Sequence, residues 1–386
     1  MNIDLNICLL PAEEQRRRID GLHLDIPTLI CDNANLFYLT GRVFCGYIYL
    51  LPGENPRYFV KRPSELQGDN ITFIRKPEEM GISCPVIGLE LSSLAYSAAM
   101  RLKSAAGAEE IRDISGSIMQ GRAIKMPCEQ QLMRENGVRH AAVYERIPDL
   151  FRQGMTDIEL QVEIERIDRL NGCLGQFRVN GPDMEIHMGN VITGQNADTP
   201  SPYDFAMGGA GMSPSLPVGA CGEAIKPGCA VMIDMNGNFN GYMTDMTRTY
   251  ACGILPEKAI KAHQCSIDIC RELARTGKPG IECKSLYEKA MEMAHAAGLA
   301  DCFMGHKYHA GFVGHGVGIQ INELPVLAPR SKSVLQEGNV IAIEPKFVIE
   351  GVGAVGIENT YICTVDGLEC ITNAPETLTL LHDSGK

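Results

Sequence analysis

The chain has 386 residues, 45% hydrophobic and 21% charged, a globular composition far from that of a disordered chain. Its net charge of −12 and pI near 5.3 argue against a nucleic-acid partner, which needs a basic face. No stretch approaches the roughly 20 apolar residues of a membrane span.

The apolar patch at residues 7–11 is followed by Glu13-Glu14 and Arg16-Arg17-Arg18. That is the wrong order for an export signal, and the arginines read as a solvated helix face. Fifteen cysteines lie in apolar segments without a Cys-x-x-Cys spacing. They read as free thiols in a reducing cytoplasm.

In chain order, residues 12–25 are expected to form a helix and residues 28–31 a short strand. Residues 47–51 and 57–61 form a hairpin around Pro52-Gly53-Glu54-Asn55-Pro56, and residues 71–74 and 85–89 are further strands. An Ala-rich helix covers residues 92–105. Strands alternating with helices imply a small α/β domain. The junction lies near residues 116–126, dividing the chain into domains 1–120 and 121–386. A long helix then spans residues 128–153, with Pro127 at its start and Glu129 supplying first-turn negative charge.

The second domain carries a faint internal repeat. Gly154-Met155 and Gly280-Ile281 each open a helix preceded by another helix, and at an offset of 126 residues Leu160 meets Leu286 and Gly172 meets Gly298. Strand pairs follow in each half. Two such helix-helix-strand-strand halves would bring their strands to one cleft.

Three segments carry the chemistry. Asp234 and Asp245 lie on two apolar strand-like arms, with turn signals at Asn236-Gly237 and Asn240-Gly241. Asp234 shares its strand face with Met232, and Asp245 with Met243 and Thr247. His315 stands among Gly311, Gly314, Gly316 and Gly318, a loop suited to exposing one imidazole. Glu344 follows the apolar run 340–343, and Glu358 sits in a second buried strand expected to pair antiparallel with the first.

Carboxylates buried unpaired would be costly or would protonate. Four of them require four positive charges, which two divalent cations about 3.5–4 Å apart supply. Oxygen-rich ligation with one imidazole favours Mn, and also fits Fe, Co or Zn.

With these residues in order, the chain resembles the Xaa-Pro peptidase family of prolidase, aminopeptidase P and their relatives. Tyr38-Leu39-Thr40-Gly41, Arg122-Ala123-Ile124-Lys125, Gly154-Met155-Thr156 and Asp245-Met246-Thr247-Arg248-Thr249 also match it. The resemblance implies an α/β (α+β) fold: a small creatinase-type N-terminal domain and a pita-bread catalytic domain. It implies five metal ligands, Asp234, Asp245, His315, Glu344 and Glu358. Glu344 would also act as proton acceptor, and Asp245 and Glu358 would bridge two ions. It further implies a homodimer supported by the N-terminal domain.

The chain departs from the family pattern at four accessory positions. Ser201 and Asn322 stand where substrate-side histidines are usual, Gly311 replaces another histidine and Gly356 an arginine. Ser and Asn cannot shuttle protons near neutral pH as imidazole does. His187 and His309 are the preferred substitutes for the missing acid–base groups, with Tyr203, Ser201 and Asn322 near the substrate. Lys346 and His306 also lie near the motifs, and the Gly/Pro-rich stretch 202–216 can reshape the pocket mouth. The expected activity is cleavage of short peptides, those with Pro after the cut among them. The competing expectations are an enzyme acting on a small metabolite and a non-catalytic binding protein.

Overall fold

The computed structural model describes residues 4–181, 184–203 and 208–382. The chain divides into two compact units, Met1–Arg122 and Ala123–Lys386.

In the first unit, helix α1 (Ala12–Asp20) precedes β1 (Thr28–Ile30), α2 (Asn33–Thr40), β2 (Cys45–Leu50), β3 (Arg57–Arg62), β4 (Ile71–Phe73), β5 (Val86–Leu89), α3 (Tyr96–Ala105), β6 (Glu110–Asp113) and α4 (Ser115–Ala123). The strands form one mixed sheet in the order β4-β3-β2-β1-β5-β6. The expected β2–β3 hairpin is antiparallel, with Tyr47 opposite Phe59. Helix α1 stops five residues earlier than expected, because Gly21 follows and His23 takes a positive φ of 50°. Helix α3 starts later than expected: residues 91–94 are tied back to Leu89, Glu90 and Ser115. Residues 115–123, expected as a junction, are helical.

The second unit begins with α5 (Pro127–Tyr144) and α6 (Asp157–Leu170), followed by β7 (Gly189–Thr193), β8 (Cys229–Asn238) and β9 (Met243–Cys252). Helices α7 (Glu257–Thr276) and α8 (Cys283–Ala296) precede β10 (Gly314–Gly316), β11 (Glu323–Leu327), β12 (Val340–Ile343), β13 (Lys346–Ile349), β14 (Gly353–Gly356), β15 (Asn359–Thr364), β16 (Gly367–Cys370) and β17 (Thr379–Leu380). Helix α5 ends nine residues before the expected Gln153, because Pro148 cannot continue its hydrogen-bond ladder and a 3₁₀ turn follows. Helix α6 is fixed at its start by a capping box between Thr156 and Glu159.

The repeat positions behave alike. Leu160 and Leu286 are both buried, and Gly154, Gly172, Gly280 and Gly298 all have positive φ. One half yields β9-β8-β7, to whose edge the C-terminal β17 adds beside β9, and the other yields β11-β10-β12-β15-β16, with β13 and β14 pairing separately. Helices α7 and α8 bury an apolar face on the second half, where Phe303 and Phe347 stack 5.0 Å apart.

Asn236-Gly237 is not the expected turn: both residues lie within β8, and Gly237 pairs with Thr244. A Cβ on Gly237 would meet the His140 ring at 2.6 Å, so this glycine serves close packing. The chain reverses at residues 239–242 instead.

Strands of the two halves meet where Thr247 and Glu358 exchange backbone hydrogen bonds. Arg248 locks this seam from behind. Its buried guanidinium donates to the carbonyls of Thr247, Glu358, Thr372, Ala374 and Pro375 and to Asn359 Oδ1. Arg248→Met leaves several of these acceptors unpaired at ~1–3 kcal/mol each. Urea denaturation should show a loss of about 3 kcal/mol or more.

His140 is buried, with Nδ1 3.0 Å from Thr244 Oγ1 and no hydrogen-bond partner at Nε2. Burial, aided by the charge of Arg248, depresses its pKa to about 3 from 6.5. A depressed histidine contributes stability that is present above the unfolded value and lost as pH falls toward the folded one. In stability curves between pH 6.5 and 3, His140→Phe should remove up to about a tenfold change per pH unit in the parent's unfolding constant.

Candidate metal centre

Strands β8 and β9 place Asp234 opposite Thr247 and Asn236 opposite Asp245. Asp234 and Asp245 therefore share one face. His315 lies in β10, between β11 and β12. Glu344 follows β12, Glu358 precedes β15, and those strands pair antiparallel, as expected. Asp245 N donates to Thr360 Oγ1, which donates back to Asp245 O, each at 2.8 Å. The fold thus brings together all five residues expected as ligands.

Asp245, His315 and Glu358 each offer a ligand atom, all within 4.8 Å of one another. His315 Nδ1 is 3.1 Å from the Gly316 carbonyl, which can only accept, so Nδ1 carries the proton and Nε2 is left for a metal or an acid. That Nε2 lies 3.3 Å from Glu344 Oε1 and 3.7 Å from Asp245 Oδ2. Glu358 Oε2 accepts from Thr247 Oγ1 at 2.8 Å, whereas its buried Oε1 has no hydrogen-bond partner. A buried carboxylate with one oxygen left without a donor, in a cluster with an imidazole and a second carboxylate, fits a divalent cation.

A third kind of group enters the cage. Lys346 Nζ lies 2.8 Å from Asp234 Oδ2, 2.8 Å from Glu344 Oε2 and 3.2 Å from Glu358 Oε2. Its side chain has no exposed surface. Burying an ammonium costs several kcal/mol, which three carboxylates offset.

The titrations follow from this crowding. Burial alone would favour neutral Lys346, yet Asp234, Glu344 and Glu358 hold it charged and raise its pKa well above the usual value. Burial would also raise Glu344, but Lys346 and His315 keep it well below the carboxylate range. Burial and then the charge of Asp234 push Asp245 up, and burial with the charge of Asp245 raises Glu358 well above its usual value. Burial opposes charge on His315, but Glu344 and Asp245 raise it to about 10. The cage holds more negative charge than Lys346 neutralises, and protons gather where a cation would sit.

The other candidates fall elsewhere. Ser201, Tyr203 and His309, with Asp198 and His306, line a cavity of about 440 Å³. The Ser201 hydroxyl donates to Pro217 O and accepts from Tyr203 N, so it organises its own loop. His309 Nδ1 is bound to Phe303 O at 2.8 Å, which leaves Nε2 as its basic nitrogen. Asn322 clamps Asn180 through two backbone hydrogen bonds of 2.7 and 2.9 Å. His187 is exposed. Part of the stretch 202–216, residues 204–207, falls outside the described residues.

Sequence reasoning missed the Asp198–His306 pair, 3.1 Å apart, and gave Lys346 no specific place. The available signal was a lysine opening the apolar run Phe347-Val348-Ile349 directly after Glu344-Pro345.

Buried acidic residues and one imidazole, gathered on paired strands of two similar halves, define a metal-dependent enzyme. Known proteins place it more closely. The Xaa-Pro dipeptidase of Pyrococcus horikoshii is 27% identical over 364 residues, covering 91% of this chain and 93% of its own. The solved prolidase of Pyrococcus horikoshii superposes with a TM-score of 0.76 at 24% identity, covering 94% of this chain and 99% of its own. The X-Pro aminopeptidase of Thermotoga maritima gives 0.77 at 19% identity, covering 94% and 99%. Residues 131–365 match the model for metallopeptidase family M24, and the chain belongs to that family of metal-dependent peptidases.

Removing a ligand should cost more metal affinity than the roughly 10–100-fold that losing a supporting hydrogen bond costs. Calorimetric titration of metal-free protein with Mn should therefore show His315→Ala binding at least ~100-fold more weakly than the parent.

Proposed function

We propose that this chain is an exopeptidase that hydrolyses short peptides, Xaa-Pro dipeptides among them, with a divalent ion held by Asp245, His315 and Glu358. The observation that carries the reading is the cluster of Asp245, His315 and Glu358, whose ligand atoms lie within 4.8 Å of one another, together with a buried Glu358 Oε1 that has no hydrogen-bond partner. The relatives named as peptidases support it and do not favour the small-metabolite alternative. A divalent ion there supplies a Lewis acid for the scissile carbonyl and lowers the pKa of a water molecule. Mn is the first choice for this donor set, with Co, Fe or Zn next.

The chain's own residues supply the rest. Glu344, ionised and 3.3 Å from His315 Nε2, takes the proton of the attacking water. Thr247 and Lys346 hold Glu358 by its Oε2, which would leave its unpartnered Oε1 for an ion. Asp234 anchors Lys346 and closes the carboxylate cage. His309, whose Nδ1 is bound to Phe303 O, is assigned proton delivery to the leaving nitrogen from Nε2 once that nitrogen has taken up a proton, with His187 as the second candidate. Ser201, Tyr203 and Asn322 shape the substrate side.

The setting proposed is the cytoplasm, supported by fifteen cysteines that form no disulfide among the described residues. None of the described helices is long and apolar enough to cross a membrane. The assembly proposed is a homodimer through residues 1–116, which rests on the family resemblance; a monomer mass by light scattering would refute it.

A panel of dipeptides and tripeptides incubated with Mn-loaded protein should release proline or the N-terminal amino acid. Glu344→Gln should lower the rate by about 10²–10⁴-fold, the usual contribution of a positioned acid–base group. Absence of release by metal-loaded parent protein would overturn the peptidase reading.

A further inference from the structure

The ligand set by itself leads to an expectation of two ions. The geometry points to one: we propose that the Lys346 ammonium permanently takes the place of the second cation, making this a mononuclear metal site with a built-in organic charge. The proposal rests on Asp245, His315 and Glu358 as metal ligands, and does not depend on the substrate being a peptide.

The five acidic and imidazole side chains separate into two groups. Asp245, His315 and Glu358 offer ligand atoms within 4.8 Å of one another, and Glu358 Oε1 is buried without a hydrogen-bond partner. Asp234 Oδ2, Glu344 Oε2 and Glu358 Oε2 instead converge on Lys346 Nζ at 2.8, 2.8 and 3.2 Å. Three ammonium hydrogens meet three carboxylate oxygens, so the donor capacity of the group is fully used. A metal ion bound to those oxygens would sit roughly 2.0–2.2 Å from them. It would compete with the ammonium for one position, and two like charges cannot share it.

Lys346 also has nowhere to withdraw. Its side chain is wholly enclosed. Its backbone is fixed in β13, where it pairs with Gly356, and its carbonyl accepts from Met304 N at 2.7 Å. Gly356 leaves the cross-strand position beside Lys346 without a side chain. A Cβ there would lie 3.1 Å from Lys346 Cα and 2.7 Å from Pro345 O, at a φ of +144° that favours glycine. The adjoining Phe347 is buried against Phe303. The lysine is therefore built into the sheet as a structural part of the site.

The chemical consequence is specific. An ammonium supplies positive charge and three hydrogen bonds but offers no open coordination position. It holds the carboxylates in place as a second ion would, while leaving one Lewis acid for the reaction.

Metal-free protein is loaded with excess Mn, desalted, and counted by elemental analysis and native mass spectrometry, with electron paramagnetic resonance on the same samples. The expected result is one Mn per chain and an uncoupled six-line signal. Lys346→Ala and Lys346→Met, the latter keeping the apolar stem, should bind two Mn per chain and show an exchange-coupled spectrum. Two Mn per chain or a coupled spectrum in the unaltered protein would overturn the proposal. So would folded Lys346 variants that still bind one; if neither variant folds, the count on the parent decides. One bound Mn with no peptide release would sink the peptidase reading and leave this inference standing, and two bound Mn with release would do the reverse.

Discussion

Four carboxylates crowded together, three of them buried, cannot all remain charged without positive charge among them. This constraint governs the second unit. Lys346 answers part of it from inside the chain, and a bound cation answers the rest. The backbone around the cage is organised to prevent the repulsion from being relieved by movement. Asp234 and Asp245 are fixed in the ten-residue pairing of β8 with β9, and Glu344 and Glu358 flank the antiparallel pair β12 and β15.

The seam between the halves is where that rigidity originates. Thr247 bonds Glu358 through both backbone and side chain, while Thr360 bonds Asp245. Neither half contains all five of the candidate ligand residues. Asp234 and Asp245 come from the first half, and His315, Glu344 and Glu358 from the second. Folding and assembly of the site are therefore one event. The Arg248 network, which ties the seam to the carbonyls of Thr372, Ala374 and Pro375, belongs functionally to the site although it faces away from it.

The cavity lined by Ser201, Tyr203 and His309 presents the opposite design. It is built mostly from loops, and Asp198 links its two sides through His306 and Lys307. Burial there would raise Asp198, but those two partners lower its pKa instead. Such a surface can be altered without disturbing the sheets beneath it, which is consistent with accessory positions that depart from the family pattern over a metal cage that keeps it.

Much of this was legible in the residues. Strand composition and turn signals located β2, β3, β8 and β9, and the repeat at 126 residues paired glycines that all adopt positive φ. Acidic residues within apolar strands marked the site, because composition alone makes a buried carboxylate anomalous. Local signals failed where a glycine had a tertiary purpose: Gly237 read as a turn but gives room to the His140 ring. Helix ends were overrun at residues 20 and 144, since periodicity carries past a terminus that turn chemistry sets. By itself, then, the sequence determined which acidic residues and imidazole to expect together, the strands that bear most of them and the family. Only the tertiary structure placed Lys346 among those carboxylates, because its separation from Asp234 and Glu358 along the chain says nothing of the 2.8 and 3.2 Å that separate them in space. Charge neutrality is a property of the folded cage, and it is set by side chains that meet only when the two halves close on each other.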